Sequence, residues 1–431
     1  MPGGDTLTAA IDDSPQRLDV SEMLNQRYAR PSFRLAVLCL VAATFGVSAA
    51  QAPSARPYFP PQGAWRKQEP AAVGFDKARL EEAIAFAITH ENSDTKDLAI
   101  AIPNQFRNEA PYNTLIGPTQ PRAGANGLII RRGSVIAEWG DTARADMTFS
   151  VTKTFLSTVV GLAFDRGQIR NLGDRVATYM PTGVDLFASP HNAPITWEHL
   201  LRQTSDWSGT LWGKPDWADR PPRNQTPAQW EQRELRAPGT FYEYNDTRIN
   251  VLALAALYVL KRPLPEVLNE AIMTPIAASS SWHWEAYDNA WIEIDKRRVK
   301  SVTGGGHFGG GMFINAYDMA RFGYLFLQNG EWEGRQLISR KWIEMAKSPG
   351  PANDSYGFCN WFLNNPPRTP DGTIGPLPFP SAPRSSVTFQ GNGVNVIYLD
   401  WDHDLLMVVR WIDTNRSLDQ FIGKVISAIK P

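Results

Sequence analysis

The sequence predicts an α/β protein of the α+β kind, in which an antiparallel sheet flanked by helices is interrupted by a mainly helical domain. Residues 127–140, GLIIRRGSVIAEWG, contain two β-rich runs about a turn near Gly133, the pattern of an antiparallel hairpin. Residues 394–399 and 404–411 form a second strand pair near the end of the chain. The segments between these pairs have mostly the 3.6-residue periodicity of helices. The sheet is therefore expected to be built from both ends of the chain.

The composition indicates a globular protein. Its 431 residues are 43% hydrophobic and 20% charged, which is enough apolar material to offset the entropy of ordering the chain. The 43 basic and 44 acidic residues form no long run of one sign, so we expect no nucleic-acid partner. Of the two cysteines, Cys39 lies in a segment that we expect to be removed. No disulfide within the mature chain is therefore predicted.

The start of the chain resembles an export signal. Residues 35–47, LAVLCLVAATFGV, carry no charge, follow three arginines and lead into small residues. The run is shorter than the roughly 20 residues that a membrane-spanning helix needs. We therefore expect residues 1–50 to be a signal peptide with an N-terminal extension, cleaved near residues 49–52. The protein is then periplasmic or secreted, with no stable membrane span; an uncleaved anchor is the alternative.

The rest of the chain is predicted to form a linker and two domains. Residues 51–70 are rich in proline and polar groups, which is typical of a tether rather than a packed element. Residues 71–149 and 300–431 are assigned to the α/β domain, and residues 150–299 to the mainly helical domain.

Helical spacing of apolar residues marks the predicted helices. Asp76 is placed as the N-cap of the first helix, and the last one closes the chain. The predicted helices are 76–90, 150–166, 196–203, 248–260, 264–273, 315–328 and 418–430. The loops between residues 206 and 238 are long and rich in Trp, Pro and Asp, as functional walls or lids are.

Metal and cofactor chemistry is not predicted. None of the six histidines lies in an HExxH or HxxxH pattern, and one cysteine remains after signal removal. The GxSxG turn of the α/β-hydrolases is absent from the sequence. Two glycine runs, 304–306 and 309–311, lack a following Lys-Ser or Lys-Thr, so we expect them to allow close backbone packing rather than to bind phosphate.

One Ser-x-x-Lys segment is a candidate nucleophile site. Ser150 and Lys153, in SVTK, open a long apolar helix and lie three residues apart on one face. Burial would lower the pKa of the lysine, so that a neutral amine could accept the serine proton. A serine at a helix N-terminus also has backbone N–H groups and the positive end of the helix dipole nearby. An N-capping serine with a surface lysine is the alternative.

Further motifs resemble those of the serine β-lactamase and penicillin-recognising family, class C branch. SVTK is similar to the first family motif, and residues 238–246, PGTFYEYND, followed by an apolar helix, are similar to the second. Residues 199–207, HLLRQTSDW, and 309–323, GGGMFINAYDMARFG, resemble two other family segments. A competing Tyr-x-Asn at residues 287–289 lacks this context and is taken as a loop. The resemblance covers most of the chain from about residue 75 onward, and it implies the β-lactamase/DD-peptidase fold.

The resemblance implies roles for individual residues. It makes Ser150 the acylated nucleophile, Lys153 the residue that deprotonates it or holds its partner, and Tyr244 the shared acid and base. An adjacent ammonium favours a phenolate, so Lys153 and Tyr244 are expected to converge. Asp246 stands where the family usually has Asn, so it is expected to stabilise a protonated Lys153 or to contact the substrate.

The third family motif, Lys-Thr-Gly or His-x-Gly, is expected at Phe389-Gln390-Gly391, counted back from the last strand pair. Gln390 leaves the usual cation absent, and the family uses that cation toward a substrate carboxylate. The backbone N–H groups of Ser150 and Asn392 are the expected oxyanion donors. A bulged edge turn is the alternative explanation of FQGNG.

The function expected from this resemblance is that of an exported serine hydrolase acting on an ester or a small amide. Esterases and aminohexanoate-oligomer hydrolases are the relatives that it implies, with a small-molecule ester, amide or peptide as substrate. Asp246, Gln390 and Gly391 are expected to contact the substrate. Trp207 and Trp212 either wall an apolar acyl pocket or are ordinary core anchors. A β-lactamase or DD-peptidase and a non-catalytic peptidoglycan binder are the alternatives.

Overall fold

The computed structural model of the chain describes residues 57–222, 224–362, 364–367 and 373–430. The predicted signal peptide lies outside these ranges. The described residues belong to one compact unit. Among their helices, none has both the length and the apolar character needed to cross a bilayer.

The strands and helices of the described residues follow one another along the chain. The strands are β1 (Asn126–Arg131), β2 (Ser134–Trp139), β3 (Asp146–Met147), β4 (Thr210–Leu211), β5 (Lys214–Pro215), β6 (His283–Ile294), β7 (Arg297–Val302), β8 (Gly311–Ile314), β9 (Glu331–Trp332), β10 (Arg335–Gln336), β11 (Trp361–Phe362), β12 (Val387–Gly391), β13 (Asn395–Asp400) and β14 (Leu405–Arg410). The α-helices are α1 (Lys77–Thr89), α2 (Leu98–Gln105), α3 (Thr152–Asp165), α4 (Trp197–Leu201), α5 (Pro227–Glu231), α6 (Asp246–Leu260), α7 (Leu264–Leu268), α8 (Ala316–Leu327), α9 (Arg340–Ala346) and α10 (Asn415–Ser427).

The main sheet has six strands in the order β11-β12-β13-β14-β1-β2, with each neighbouring pair antiparallel. It joins the two strand pairs predicted from the ends of the chain, because β14 pairs with β1 and places Met407 opposite Ile129. The predicted antiparallel sheet is thus confirmed.

The two faces of this sheet are buried against different layers. Ile129 and Met407 face a cluster that includes Leu80 of α1 and Phe421 of α10. Their neighbours along the strands face the larger core with Phe322 of α8. This alternation follows from the two-residue period of a strand, and it leaves the sheet covered by helices on both sides.

The predicted helices are present with small shifts at their ends. Asp76 accepts a hydrogen bond from the backbone N of Arg79 at 3.2 Å, so the predicted N-cap of α1 is confirmed. The last helix begins at Asn415, earlier than predicted, because the Thr414 side chain caps it by accepting from Ser417 N. Helices α3 and α6 are buried along almost their whole length. The SVTK motif lies at the start of α3, and the second motif, residues 238–246, ends at the start of α6.

A second sheet crosses the region predicted to be mainly helical. Its order is β3-β8-β6-β7, and the β6–β7 hairpin lies inside residues 150–299. Residues 287–289, taken as a loop, lie in β6 instead, with Tyr287 fully buried. The sequence hides this strand because its register shifts between Ala286 and Trp291, which breaks the simple alternation. The domain boundaries themselves remain a prediction.

The described part of the predicted linker packs against the body of the protein. Trp65 is 8% exposed, and its Nε1 donates to the carbonyl of Gly133 at 2.8 Å. Arg321 of α8 donates to the carbonyl oxygens of Pro60 and Pro61. The prediction of a tether over this part was wrong, because the aromatic residues interspersed among the prolines bury apolar surface on α8.

Candidate active site

Ser150 lies in a tight turn directly before α3. A 3-10 turn, Phe149–Val151, leads into the helix, and Phe149 has a φ of 49°, a left-handed conformation that is strained for a bulky residue. The turn is held from β8: Thr148 N donates to Met312 O at 2.9 Å, and Met312 N donates to Thr152 Oγ1 at 3.0 Å. The turn that carries Ser150 is therefore held at the N-terminus of α3 by hydrogen bonds to β8.

Lys153 connects Ser150 to the second motif. Its Nζ donates to Ser150 Oγ at 2.7 Å and to Asp246 Oδ1 at 2.5 Å. The lysine and aspartate side chains are 1% and 2% exposed, so the ion pair is buried. Asp246 is the first residue of α6, which Asn245 caps by accepting from Arg248 N at 3.0 Å. Packing of α3 on α6 thus brings the first and second motifs into contact.

The ion pair determines the charge of the lysine. Burial, the largest influence, lowers the pKa of Lys153, but the attraction of Asp246 and Tyr244 outweighs it, and the net shift raises the pKa. Burial opposes ionisation of Asp246 too, yet Lys153 and Arg220 hold the pKa of its carboxyl far below the usual range. The expectation of an uncharged amine was therefore wrong, because the raised pKa and the ion pair with Asp246 keep Lys153 protonated at neutral pH. Asp246 stabilises it, one of the two roles that the sequence left open.

Tyr244 lies beside this pair, as the resemblance implied. The centre of its ring is 4.9 Å from Lys153 Nζ and 5.0 Å from the guanidinium carbon of Arg220. Trp361 stacks on the Tyr244 ring, with centroids 5.7 Å apart. The Tyr244 ring is thus packed against two cations and an indole.

The segment proposed as third motif runs next to the serine. A Cβ on Gly391, the last residue of β12, would lie 2.2 Å from Thr148 O and 3.0 Å from Ser150 N. The strand can approach the Ser150 amide this closely only because residue 391 is glycine. Asn392 follows directly in the chain, and its role as an oxyanion donor stays a prediction. The bulged edge turn is not observed, since Gln390 and Gly391 pair in register with β13.

Glycine also makes room above the lysine. A Cβ on Gly305 would lie 2.6 Å from Lys153 Nζ, 2.7 Å from Asp246 Oδ1 and 3.3 Å from Ser150 Oγ. The glycine run at residues 304–306 therefore serves close packing, as the sequence predicted, and it packs against the reacting groups themselves.

Sequence reasoning missed a buried layer of charged residues behind Asp246. Asp219 Oδ2 accepts from the backbone N of Asp246 and, at 3.2 Å, of Thr247. Arg220 Nη1 donates to Asp219 Oδ1 at 2.6 Å and to Asp246 Oδ2 at 2.5 Å. His307 Nδ1 lies 3.5 Å from Asp246 Oδ2. Only the positions of these residues in the sequence could have indicated a role in the site. Asp219 and Arg220 lie in the long loop between residues 206 and 238, and His307 follows the glycine run at residues 304–306.

His307 and Glu109 share a hydrogen bond in this layer. His307 Nε2 and Glu109 Oε2 are 2.7 Å apart, and both side chains are almost fully buried. Burial and repulsion from Asp219 raise the pKa of Glu109 to about 9, and burial together with Arg220 lowers that of His307 well below its usual value. The raised pKa of Glu109 favours its protonated form at neutral pH, in which the carboxyl can donate to Nε2 of a neutral imidazole.

Glu109, Asp219 and His307 are spaced closely enough to hold a metal ion, with one ligand atom from each lying within 4.8 Å of the others. The donor set does not favour one. The Arg220 guanidinium already occupies Asp219 Oδ1, and the Lys153 ammonium neighbours the same layer. We therefore assign no metal to this group.

The two tryptophans expected near the substrate make contacts within the protein core. Trp207 is 3% exposed, and its Nε1 donates to Leu186 O at 2.7 Å. Trp212 is half-buried against a cluster with Tyr287 and Phe308. These contacts support the interpretation as core anchors. The aromatic side of the site is formed instead by Tyr244 and Trp361, which the sequence did not predict as a pair.

Gln390 is half-buried on β12, and its Nε2 donates to Thr388 Oγ1 at 2.7 Å. The Asn392 side chain donates to Gln105 Oε1 at 2.5 Å and so connects the end of β12 to α2. Neither residue brings a cation to this side of Ser150.

The fold and these motifs agree with comparisons to known proteins. The family model for beta-lactamases matches residues 110–416. A 6-aminohexanoate-dimer hydrolase from Paenarthrobacter ureafaciens is 27% identical over 258 residues, which are 54% of this chain and 60% of that relative's length.

Two solved structures share the fold at low sequence identity. A penicillin-binding protein homologue from Pyrococcus abyssi, described as octameric, has a TM-score of 0.50 at 16% identity and covers 82% of this chain and 77% of its own. A beta-lactamase candidate from Bacteroides dorei DSM 17855 has a TM-score of 0.50 at 14% identity, covering 71% of this chain and 94% of its own.

Proposed function

The chain belongs to the beta-lactamase family and is a serine hydrolase, and we propose that it cleaves an ester or a small amide through an acyl-enzyme on Ser150. The observation that carries this proposal is the 2.7 Å contact from Lys153 Nζ to Ser150 Oγ at the start of α3. The ammonium donates to the serine oxygen, so it stabilises the negative charge that develops there when the hydroxyl loses its proton.

We assign the transfer of the serine proton to Tyr244. Because Lys153 is already protonated, it cannot take this proton, and the Tyr244 ring lies beside it, with its centre 4.9 Å from Lys153 Nζ. In the proposed sequence, Ser150 Oγ attacks the carbonyl carbon, and its proton moves to the Tyr244 oxygen as the proton of that phenol moves to the leaving group. The backbone N–H groups of Ser150 and Asn392 hold the oxyanion until the bond to the protonated leaving group breaks. A water then reverses these steps and releases the acid.

The preference for an ester or small amide rests on the third motif. Gln390 stands where the penicillin-recognising enzymes carry a cation, and its amide is engaged with Thr388. The relative that hydrolyses 6-aminohexanoate dimer supports a small amide in particular. We also propose that the protein is exported, because residues 35–47 have the pattern of a signal peptide. Cell fractionation with detection of the mature N-terminus tests this, and an intact protein in the cytoplasm would contradict it.

A substrate panel tests the proposed reaction. We would compare 6-aminohexanoate linear dimer, p-nitrophenyl butyrate, a D-Ala-D-Ala peptide and nitrocefin, using the wild type and Ser150→Ala. Ser93→Ala is the matched control, since Ser93 belongs to an exposed Ser-x-x-Lys segment, SDTK. We expect turnover of the amide or the ester that Ser150→Ala abolishes and Ser93→Ala leaves intact. Turnover of nitrocefin or the D-Ala-D-Ala peptide alone would replace this function with β-lactamase or peptidase activity, and binding without any turnover would indicate a non-catalytic relative.

A further inference from the structure

Arg220 is a cation at the site with unused hydrogen-bond donors. Its Nη1 is engaged with Asp219 and Asp246, and its backbone N donates to Glu109 Oε1 at 3.0 Å. Its Nε and Nη2 donate to no residue that the structure describes. The side chain is 31% exposed, whereas the carboxylates it contacts are 2% exposed or less. The guanidinium is thus held by two carboxylates at Nη1, and the side chain as a whole is partly exposed.

Arg220 lies beside the same tyrosine as Lys153. Arg220 and Lys153 lie at similar distances from the Tyr244 ring, 5.0 and 4.9 Å. Arg220 also lies over Phe106, 5.4 Å from the ring centre, and Phe106 follows Gln105, which holds the side chain of Asn392. The guanidinium and the side chain of Asn392 therefore contact neighbouring residues at the end of α2.

We infer that Arg220 binds a carboxylate of the substrate through its free Nε and Nη2, and that the preferred substrates are small amides or esters with a free carboxylate. This inference rests on the proposed function. Arg220 would supply from the loop between β5 and α5 the cation that Gln390 does not supply from β12. The planar guanidinium suits this role, because its Nε and Nη2 donate in parallel to the two oxygens of a carboxylate.

Matched ester pairs test the inference. One pair is p-nitrophenyl butyrate and mono-p-nitrophenyl succinate, which differ by a carboxylate on the acyl part. The other is phenyl butyrate and 3-carboxyphenyl butyrate, which differ on the leaving group. We expect kcat/KM to favour the acidic member of at least one pair by roughly tenfold, the effect of one charge-assisted hydrogen-bonded pair. Arg220→Gln should bring that ratio to about one.

Two further variants separate binding from folding. In Arg220→Lys the single ammonium is taken by Asp219 and Asp246, so we expect a folded protein that has also lost the preference. Arg236→Gln is the control, because Arg236 is exposed in a following part of the same region and stacks on Phe241 at 3.6 Å. It should keep the wild-type ratio. Equal rates within both pairs, or a ratio unchanged in both Arg220 variants, would overturn the inference while leaving the hydrolase intact. Absence of any ester or amide turnover would instead contradict the proposed function.

Discussion

Removing the charge of Asp246 tests the electrostatic account of the site. Asp246→Asn keeps the size of the side chain but leaves Lys153 and Arg220 without the carboxylate that each contacts at 2.5 Å. Because the lysine is 1% exposed, water cannot replace the lost partner. Breaking one partner of a buried ion pair costs about 3 to 5 kcal/mol, so we expect the free energy of unfolding at pH 7 to fall by about that amount.

The pH dependence of this loss has a definite sign. The raised pKa of Lys153 contributes stability that is full below the pKa of an unfolded lysine and is lost as the pH rises through the folded value. The lowered pKa of Asp246 contributes stability that is present above the pKa of an unfolded aspartate and is lost as the pH falls. Both contributions are therefore present at pH 7. In the variant, burial and Arg220 remain without the carboxylate, so the pKa of Lys153 should fall below that of the wild type.

Urea unfolding at pH 7 measures the effect. Asp318→Asn is the control, since Asp318 is equally buried but accepts hydrogen bonds from neutral donors, Ser279 N at 2.9 Å and Asn315 Nδ2 at 2.9 Å. We expect a smaller loss in this control, about 1 to 3 kcal/mol. If Asp246→Asn cost less than about 1 kcal/mol, or no more than Asp318→Asn, the buried ion pair would not have the importance assigned to it.

Three other variants probe the surroundings of the serine. Gly391→Ala places a Cβ 2.2 Å from the backbone carbonyl of Thr148, so it should push β12 away from Ser150 and lower kcat by about a hundredfold or more while KM changes little; an unchanged kcat would contradict the oxyanion assignment. Gly305→Ala places a Cβ 2.6 Å from Lys153 Nζ and should slow acylation of Ser150 by a fluorophosphonate, measured by stopped-time labelling; wild-type labelling would show that the lysine is not confined there. Glu109→Gln should reduce the dependence of the free energy of unfolding on pH, because the pKa of about 9 at Glu109 makes the wild type lose up to about 1.4 kcal/mol per pH unit between pH 7 and 8. If the free energy of unfolding changed with pH equally in the two proteins, the carboxyl of Glu109 would not be protonated at neutral pH.

The sequence predicted the parts of the fold that depend on local pattern. Both strand pairs, the capped helix at Asp76 and the apolar helices α3 and α6 were found because each repeats its signal within a few residues. The resemblance supplied the pairing of Ser150, Lys153 and Tyr244. The β6–β7 hairpin was missed because its strand is shaped by pairing with β8, which lies beyond a local window.

The charge of the site could not be predicted for a different reason. The sequence suggested that burial would neutralise Lys153, which is correct for a lysine without a partner. Whether Asp246 contacts Lys153 depends on how α3 packs on α6. The 2.5 Å contact between Lys153 Nζ and Asp246 Oδ1 stabilises the charged lysine, so burial does not neutralise it. Arg220, Glu109 and His307 come from three distant segments, and nothing in their local sequence places them behind one carboxylate.

The covalent intermediate gives the most direct test of the central claim. This claim is that Ser150 attacks the substrate, while Lys153 stabilises the serine oxygen and Tyr244 transfers its proton. Rapid acid quench during turnover of a slow ester, followed by peptide mass spectrometry, would locate the acyl group. We predict the acyl mass on Ser150 in the wild type and its absence in Ser150→Ala. An acyl group on any other residue, or full turnover by Ser150→Ala, would contradict the account.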